Sequence, residues 1–169
     1  MPLLHDTDAR HSLPGFPYLY KEILMIVEYR MLVSETLGQN RTALMAALKE
    51  HNVQTVIITY AGAGDSGDVD GVETIPQEAI KALETSKVTL RQPKGQMIDG
   101  EYAYIREDIE QPIIDALRTF TFNWVEIRHS GWEINDGSSG EVIFDVKADT
   151  CTLNHTEYYT ESSCHEHVI

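Results

Sequence analysis

Thirteen consecutive residues, from His129 to Glu141, gather a histidine, a tryptophan, an amide, three carboxylates and three glycines. Glycine lets the backbone turn and lets a ligand approach the main chain closely. Carboxylate and amide oxygens collect a cation, an amine or a partner's donors. A second stretch, Ala61 to Gly71, has the same character, with Gly62, Gly64 and Gly67 beside Asp65, Asp68 and Asp70. If the two converge, Asp65, Glu133, Asp136 and Glu141 form a carboxylate cluster, with Ser66, Asn135 and His129 around it. Such oxygens suit Mg²⁺ or Ca²⁺. Paired carboxylates can also divide into an acid and a base, with His129 carrying protons. The plainer alternative is that Gly64, Gly67, Gly137 and Gly140 make turns, while Asp65 and Asp136 close Asx turns or cap neighbouring elements.

Other chemistries fare unevenly. Gly64-Asp65-Ser66-Gly67 resembles the nucleophile segment of trypsin-like proteases over four residues only. No barrel-like run of strands or suitably placed His and Asp accompanies it, and Ser66 lacks the Gly-x-Ser-x-Gly elbow. Gly62 to Gly67 also spells Gly-x-Gly-x-x-Gly after a strand, but three aspartates there would repel a pyrophosphate. The end of the chain, Cys164-His165-Glu166-His167, carries zinc-ligand types that His155 or Cys151 could join, without the spacing of a standard zinc module. Trp132 could cover a site or anchor a partner, although packing under its own loop is the commoner outcome for such a residue.

The elements that must position these residues follow from periodicity. Residues 1–17 lack it and read as a flexible arm. Helical spacing predicts helices over 18–37 and 41–51, with Gly38 ending the first and Asn40 capping the second. Val53 to Tyr60 is β-branched and predicts a buried strand that runs into the first glycine-acid loop. Residues 76–83 predict a short helix, Lys87 to Arg91 a strand, and Gln92 to Gly100 a connection. Apolar residues from Ile105 to Ile127 recur at steps of four and three. They predict a long helix over about 105–128, its regular part starting near Pro112. Trp132 to Ile134 is a candidate strand. Glu141 to Val146 and Thr150 to His155 predict a C-terminal β-hairpin turning at 147–149. The expected fold is a single α+β domain over 18–169, with helices over 18–51 and a motif-bearing part over 52–169. A small, mainly antiparallel sheet packs there on the long helix.

The chain has 169 residues, 42% of them hydrophobic and 24% charged, which suits one globular domain. Its net charge of −14 disfavours direct contact with phosphate backbones and could attract basic protein surfaces. Eight acids against Lys147 follow Trp132. The opening residues carry no apolar signal-peptide core, and no apolar run is long enough to span a bilayer. With two cysteines, Cys151 and Cys164, a cytoplasmic protein with reduced thiols is expected.

Taken together, the motifs Tyr60 to Gly67 and His129 to Asp145 resemble an uncharacterised family of bacteria, phages and mobile elements, DUF6878. The resemblance covers approximately residues 50–169. It implies that the two glycine-acid loops belong together, and a phage or mobile-element setting, but supplies no activity, ligand or fold. The first functional expectation is therefore a small acidic cytoplasmic binding or accessory protein acting through protein–protein contacts. The alternatives are a metal-dependent, hydrolase-like enzyme using the carboxylate cluster, with a divalent metal as cofactor, and a structural subunit whose motif loops form an oligomer interface.

Overall fold

The computed structural model describes the backbone of residues 16–169 and the side chains of 21–169. Most of the arm expected over 1–17 lies outside the described residues. Helix α1 spans Phe16–Glu50 without a break, so the two expected helices are one. A single mid-helix glycine costs only about 1 kcal/mol, too little to end a helix held along its length by packing. Asn40 does not cap. Its side chain donates to the Arg91 carbonyl and accepts from the Arg91 N–H, both at 2.8 Å.

Strand β1 (Thr55–Ala63) and strand β2 (Ser66–Ile75) form a hairpin. Much of the expected loop over 61–71 is therefore strand. Only Gly64 and Asp65 turn, both at positive φ (61° and 73°), the geometry that matches strand twist in a two-residue hairpin loop. A 3₁₀ turn (Gln77–Ala79) leads to α2 (Ile80–Thr85), the short helix expected there.

Strands β3 (Lys87–Ile98) and β4 (Glu101–Pro112) form a second, long hairpin. The expected connection over 92–100 is thus the far half of β3, and Pro93 is tolerated because both strands of this ribbon are edges. Helix α3 (Ile113–Arg128) begins immediately after Pro112. The stretch 105–112, expected as the start of that helix, is strand. Residues four apart share a side in a helix and also in a strand, so Ile105 and Ile109 satisfy either periodicity. Strands β5 (Ser138–Asp145) and β6 (Thr150–Glu157) make the expected C-terminal hairpin.

The main sheet has the order β2-β1-β5-β6, antiparallel throughout, with β3-β4 as a separate ribbon. Val56 and Ile58 of β1 and Val142 and Phe144 of β5 alternate onto one face and are fully buried. Leu117 and Phe120 of α3 and Leu44 and Leu48 of α1 complete that core, with the Phe120 and Phe144 rings 5.4 Å apart. The molecule is α+β, as its periodicities imply. Among the described residues no helix is long and apolar enough to cross a membrane.

Candidate functional site

The residues after α3 form turns rather than the expected strand. The Ile134 N–H donates to the Gly131 carbonyl and the Gly137 N–H to the Ile134 carbonyl, each at 3.0 Å. This coil docks on the tip of the β1-β2 hairpin. The Gly64 N–H donates to the Asn135 carbonyl at 3.0 Å, and the Asp65 N–H to the Glu133 carbonyl at 3.1 Å. The two glycine-acid stretches therefore do meet, through main-chain hydrogen bonds.

Trp132 is the wedge between them. It is 5% exposed, crosses Tyr60 edge-on at 5.4 Å, and lies against Gly62 and Gly67. A Cβ on Gly67 would sit 2.3 Å from the indole ring. Ser138 Oγ donates to the Trp132 carbonyl at 2.7 Å, fixing the coil from below. The tryptophan thus packs under its own loop and is not free to anchor a partner.

Convergence of the loops does not gather Asp65, Glu133, Asp136 and Glu141 into one cluster. Asp65 sits on the hairpin turn, and Ser66 is exposed beside it, paired with Ala63. Asp136 lines an open cleft of about 570 Å³ with Ser66, Asp68 and Asp70. Glu133 carries a buried, unpartnered Oε2. Glu141 accepts from Asn154 Nδ2 at 3.1 Å. Among the described residues, the group of three whose ligand atoms lie within 4.8 Å of one another is instead His129, His155 and Glu157. The carboxylate cluster expected of Asp65, Glu133, Asp136 and Glu141 is corrected accordingly. The reason is placement: Asp65 turns the hairpin, Glu133 and Asp136 sit at different points of the turns after α3, and Glu141 lies in β5 against Asn154.

The histidine group is assembled by register. Tyr60 on β1 faces Gly140 on β5, and Gly140 faces His155 on β6. Because Gly140 has no side chain, the Tyr60 phenol crosses over it and reaches His155 Nδ1 at 2.7 Å and the Asn154 carbonyl at 3.3 Å. A Cβ on Gly140 would stand 2.3 Å from the phenol oxygen. His129, at the C-terminus of α3, lays its ring on that of His155, with centroids 3.7 Å apart. Glu157 Oε1 is 3.7 Å from His129 Nδ1 and 3.7 Å from His155 Nε2. The His155 side chain is 6% exposed, and its Nε2 is buried with no partner. Burial lowers its pKa, the neighbouring His129 acts in the same direction, and Glu157 opposes them. Burial also pushes the Tyr60 phenol up to about 12.

Tyr60 and Glu157 were missed as members of this group. Glu157 stands two residues beyond His155, the spacing that puts two strand residues on one face. Cys164, His165 and His167 are exposed after β6, and His165 Nε2 lies 3.1 Å from Ser163 Oγ. His155 alone of the expected zinc ligands enters the histidine group.

A cavity of about 230 Å³ opens beside this group, lined by His129, Ser130, Trp132, Glu157 and Tyr158 among others.

The chain belongs to the family of unknown function DUF6878, whose sequence model matches residues 36–169. No curated protein and no solved structure matches it.

Proposed function

We propose that this member of the DUF6878 family is a cytoplasmic binding protein that acts through protein–protein contacts, and that its contact surface is the first half of α1 with the tip of the β3-β4 ribbon. One observation carries the reading: five large apolar residues on consecutive turns of α1, Ile23, Leu24, Ile26, Val27 and Met31, are 46–59% exposed. Met97, Ile98 and Tyr102 extend the exposed apolar surface at the ribbon tip. Scattered surface hydrophobics are ordinary, but a concentration on one element marks an interaction site. The apolar part of α1 precedes residue 36, where the family match begins, whereas Met97, Ile98 and Tyr102 lie within it.

Charge supports a second copy as the occupant. Residues 21–50 hold four basic and four acidic side chains, and residues 87–112 hold four and five. Nearly all of the −14 therefore lies elsewhere. Along α1 and the ribbon, which together form one arm of the molecule, the charges pair locally, Arg91 with Asp108 at 2.7 Å, Lys94 with Glu107 at 2.6 Å, and Arg106 with Glu35. Two arms can approach without the repulsion that two acidic sheets would meet. Burying eight half-exposed side chains contributes roughly 6–12 kcal/mol per copy, before the costs of association. The acidic sheets then face outward, toward a basic partner. Two free thiols, Cys151 and Cys164, suit the cytoplasm, and a phage or mobile-element setting is part of the same proposal.

Sedimentation equilibrium at concentrations up to about 100 µM tests it. A dimer that Val27→Glu/Met31→Glu converts to monomer supports the reading. A wild type that stays monomeric at 100 µM (roughly the weakest affinity worth such a burial) overturns it.

A further inference from the structure

We infer that His129, His155 and Glu157 form a binding site for a divalent transition-metal ion, with Tyr60 orienting the buried histidine. The inference is independent of the arm and its partner.

The tautomer of His155 follows from its neighbours. Tyr60 has one hydroxyl proton, and the Asn154 carbonyl 3.3 Å away can only accept it. We assign the hydroxyl proton to that carbonyl, so that the phenol oxygen, 2.7 Å from Nδ1, accepts a hydrogen bond from Nδ1–H. His155 Nε2 is left as a bare lone pair. It is buried and unpartnered, in a side chain 6% exposed. A lone pair held this way calls for an electrophile. Donation of the far ring N–H to an oxygen acceptor is also how metal-bound histidines are oriented.

The spacing agrees. Two ligand atoms on a tetrahedral centre with bonds of 2.0–2.2 Å stand about 3.3–3.6 Å apart. Glu157 Oε1 is 3.7 Å from each imidazole nitrogen, His129 Nδ1 and His155 Nε2. The two rings stack at an interplanar angle of 18°, so one ion cannot lie in both ring planes as they stand. Closure requires His129 to turn its edge toward His155, and His129 is the one free to do so. It ends α3 and its side chain is 32% exposed. Imidazole nitrogens with one carboxylate favour Zn²⁺, Co²⁺ or Ni²⁺ over Mg²⁺ and Ca²⁺. Three protein ligands leave a fourth position, and the 230 Å³ cavity adjoining His129 and Glu157 is where a water or small substrate would take it.

The test is calorimetric titration of the chelator-treated full chain with Zn²⁺, beside Co²⁺ absorption spectra and a Mg²⁺ control. The expected result is one Zn²⁺ per chain, intense tetrahedral-type visible bands with Co²⁺, and no binding of Mg²⁺. Glu157→Gln, on a side chain 72% exposed, leaves the fold intact and weakens Zn²⁺ binding at least tenfold. His129→Gln does the same, whereas His165→Gln/His167→Gln changes nothing. No stoichiometric Zn²⁺ binding overturns the inference. So does binding that survives both Glu157→Gln and His129→Gln, or that is lost with the tail histidines.

Discussion

Replacing Gly137 by alanine asks how much the docking of the motif coil on the β1-β2 hairpin is worth. Gly137 sits at φ +72°, where an L-residue costs about 1–2 kcal/mol. Its new Cβ would also lie 1.8 Å from the Gly62 carbonyl oxygen and 2.7 Å from the Ala63 Cα. Backbone atoms cannot rotate away as a side chain can, so the coil must lift by more than an ångström. That breaks the hydrogen bonds from the Gly64 N–H to Asn135 and from the Asp65 N–H to Glu133, at about 1 kcal/mol each. The total is roughly 3–4 kcal/mol, or a fall in Tm of about 6–16 °C for a chain of this size. Gly64→Ala is the control: its φ is +61° with nothing within 4 Å of the added carbon, so it loses the conformational part alone, about 1–2 kcal/mol. Thermal unfolding followed by circular dichroism reads both, and tryptophan emission shifts to the red in the first as Trp132 is uncovered. Equal Tm values for the two variants would refute the docking argument.

Further outcomes follow from other parts of the fold. Gly38→Ala should raise stability by about 0.5–1 kcal/mol, because Gly38 lies inside a continuous helix with open space around it; a loss measured by denaturant titration would restore the two-helix reading. Asn40→Ala should cost about 2–3 kcal/mol, since it strands the Arg91 N–H and carbonyl, while Asn40→Asp keeps one of the two bonds and loses less. Burial pushes the Cys151 thiol up to about 12, whereas Cys164 is exposed. A disulfide reagent at pH 8 should therefore titrate one thiol quickly and the second only on unfolding. Because the unfolded thiol ionises first, stability should fall as pH rises through about 9 toward 12, and Cys151→Ser should flatten that decline.

The C-terminal hairpin, Ser138–Glu157, and strand β1, Thr55–Ala63, were legible because their strands are rich in β-branched and apolar residues. Other elements were hidden for identifiable reasons. Glycine and aspartate in β2 spell a loop, and that edge strand is held instead by its ladder to β1. Ile105 and Ile109 fit two periodicities at once, and only the facing strand β3 decides between them. Asn40 looks like a cap because its side chain is short and polar, and the same property lets it grip the Arg91 backbone. At the candidate site, His129 and His155 were recognisable by type. The contact of Tyr60 with His155 depends on a three-strand register through Gly140, which no local pattern announces.

Strands β1 and β5 are neighbours in the sheet although some eighty residues separate Thr55 from Ser138. The three hairpins can each zip from their own turns, with short loops to close. The β1–β5 seam must close a loop that holds α2, the ribbon and α3, so its entropy is paid late and its formation should set the folding rate. Tyr60 lies on one side of that seam and His155 on the other. Any intermediate with the hairpins made but the seam open has every secondary element, yet His155 lacks the phenol that orients it. The Tyr60–His155 contact would thus report completion of the fold, forming only with the slowest step.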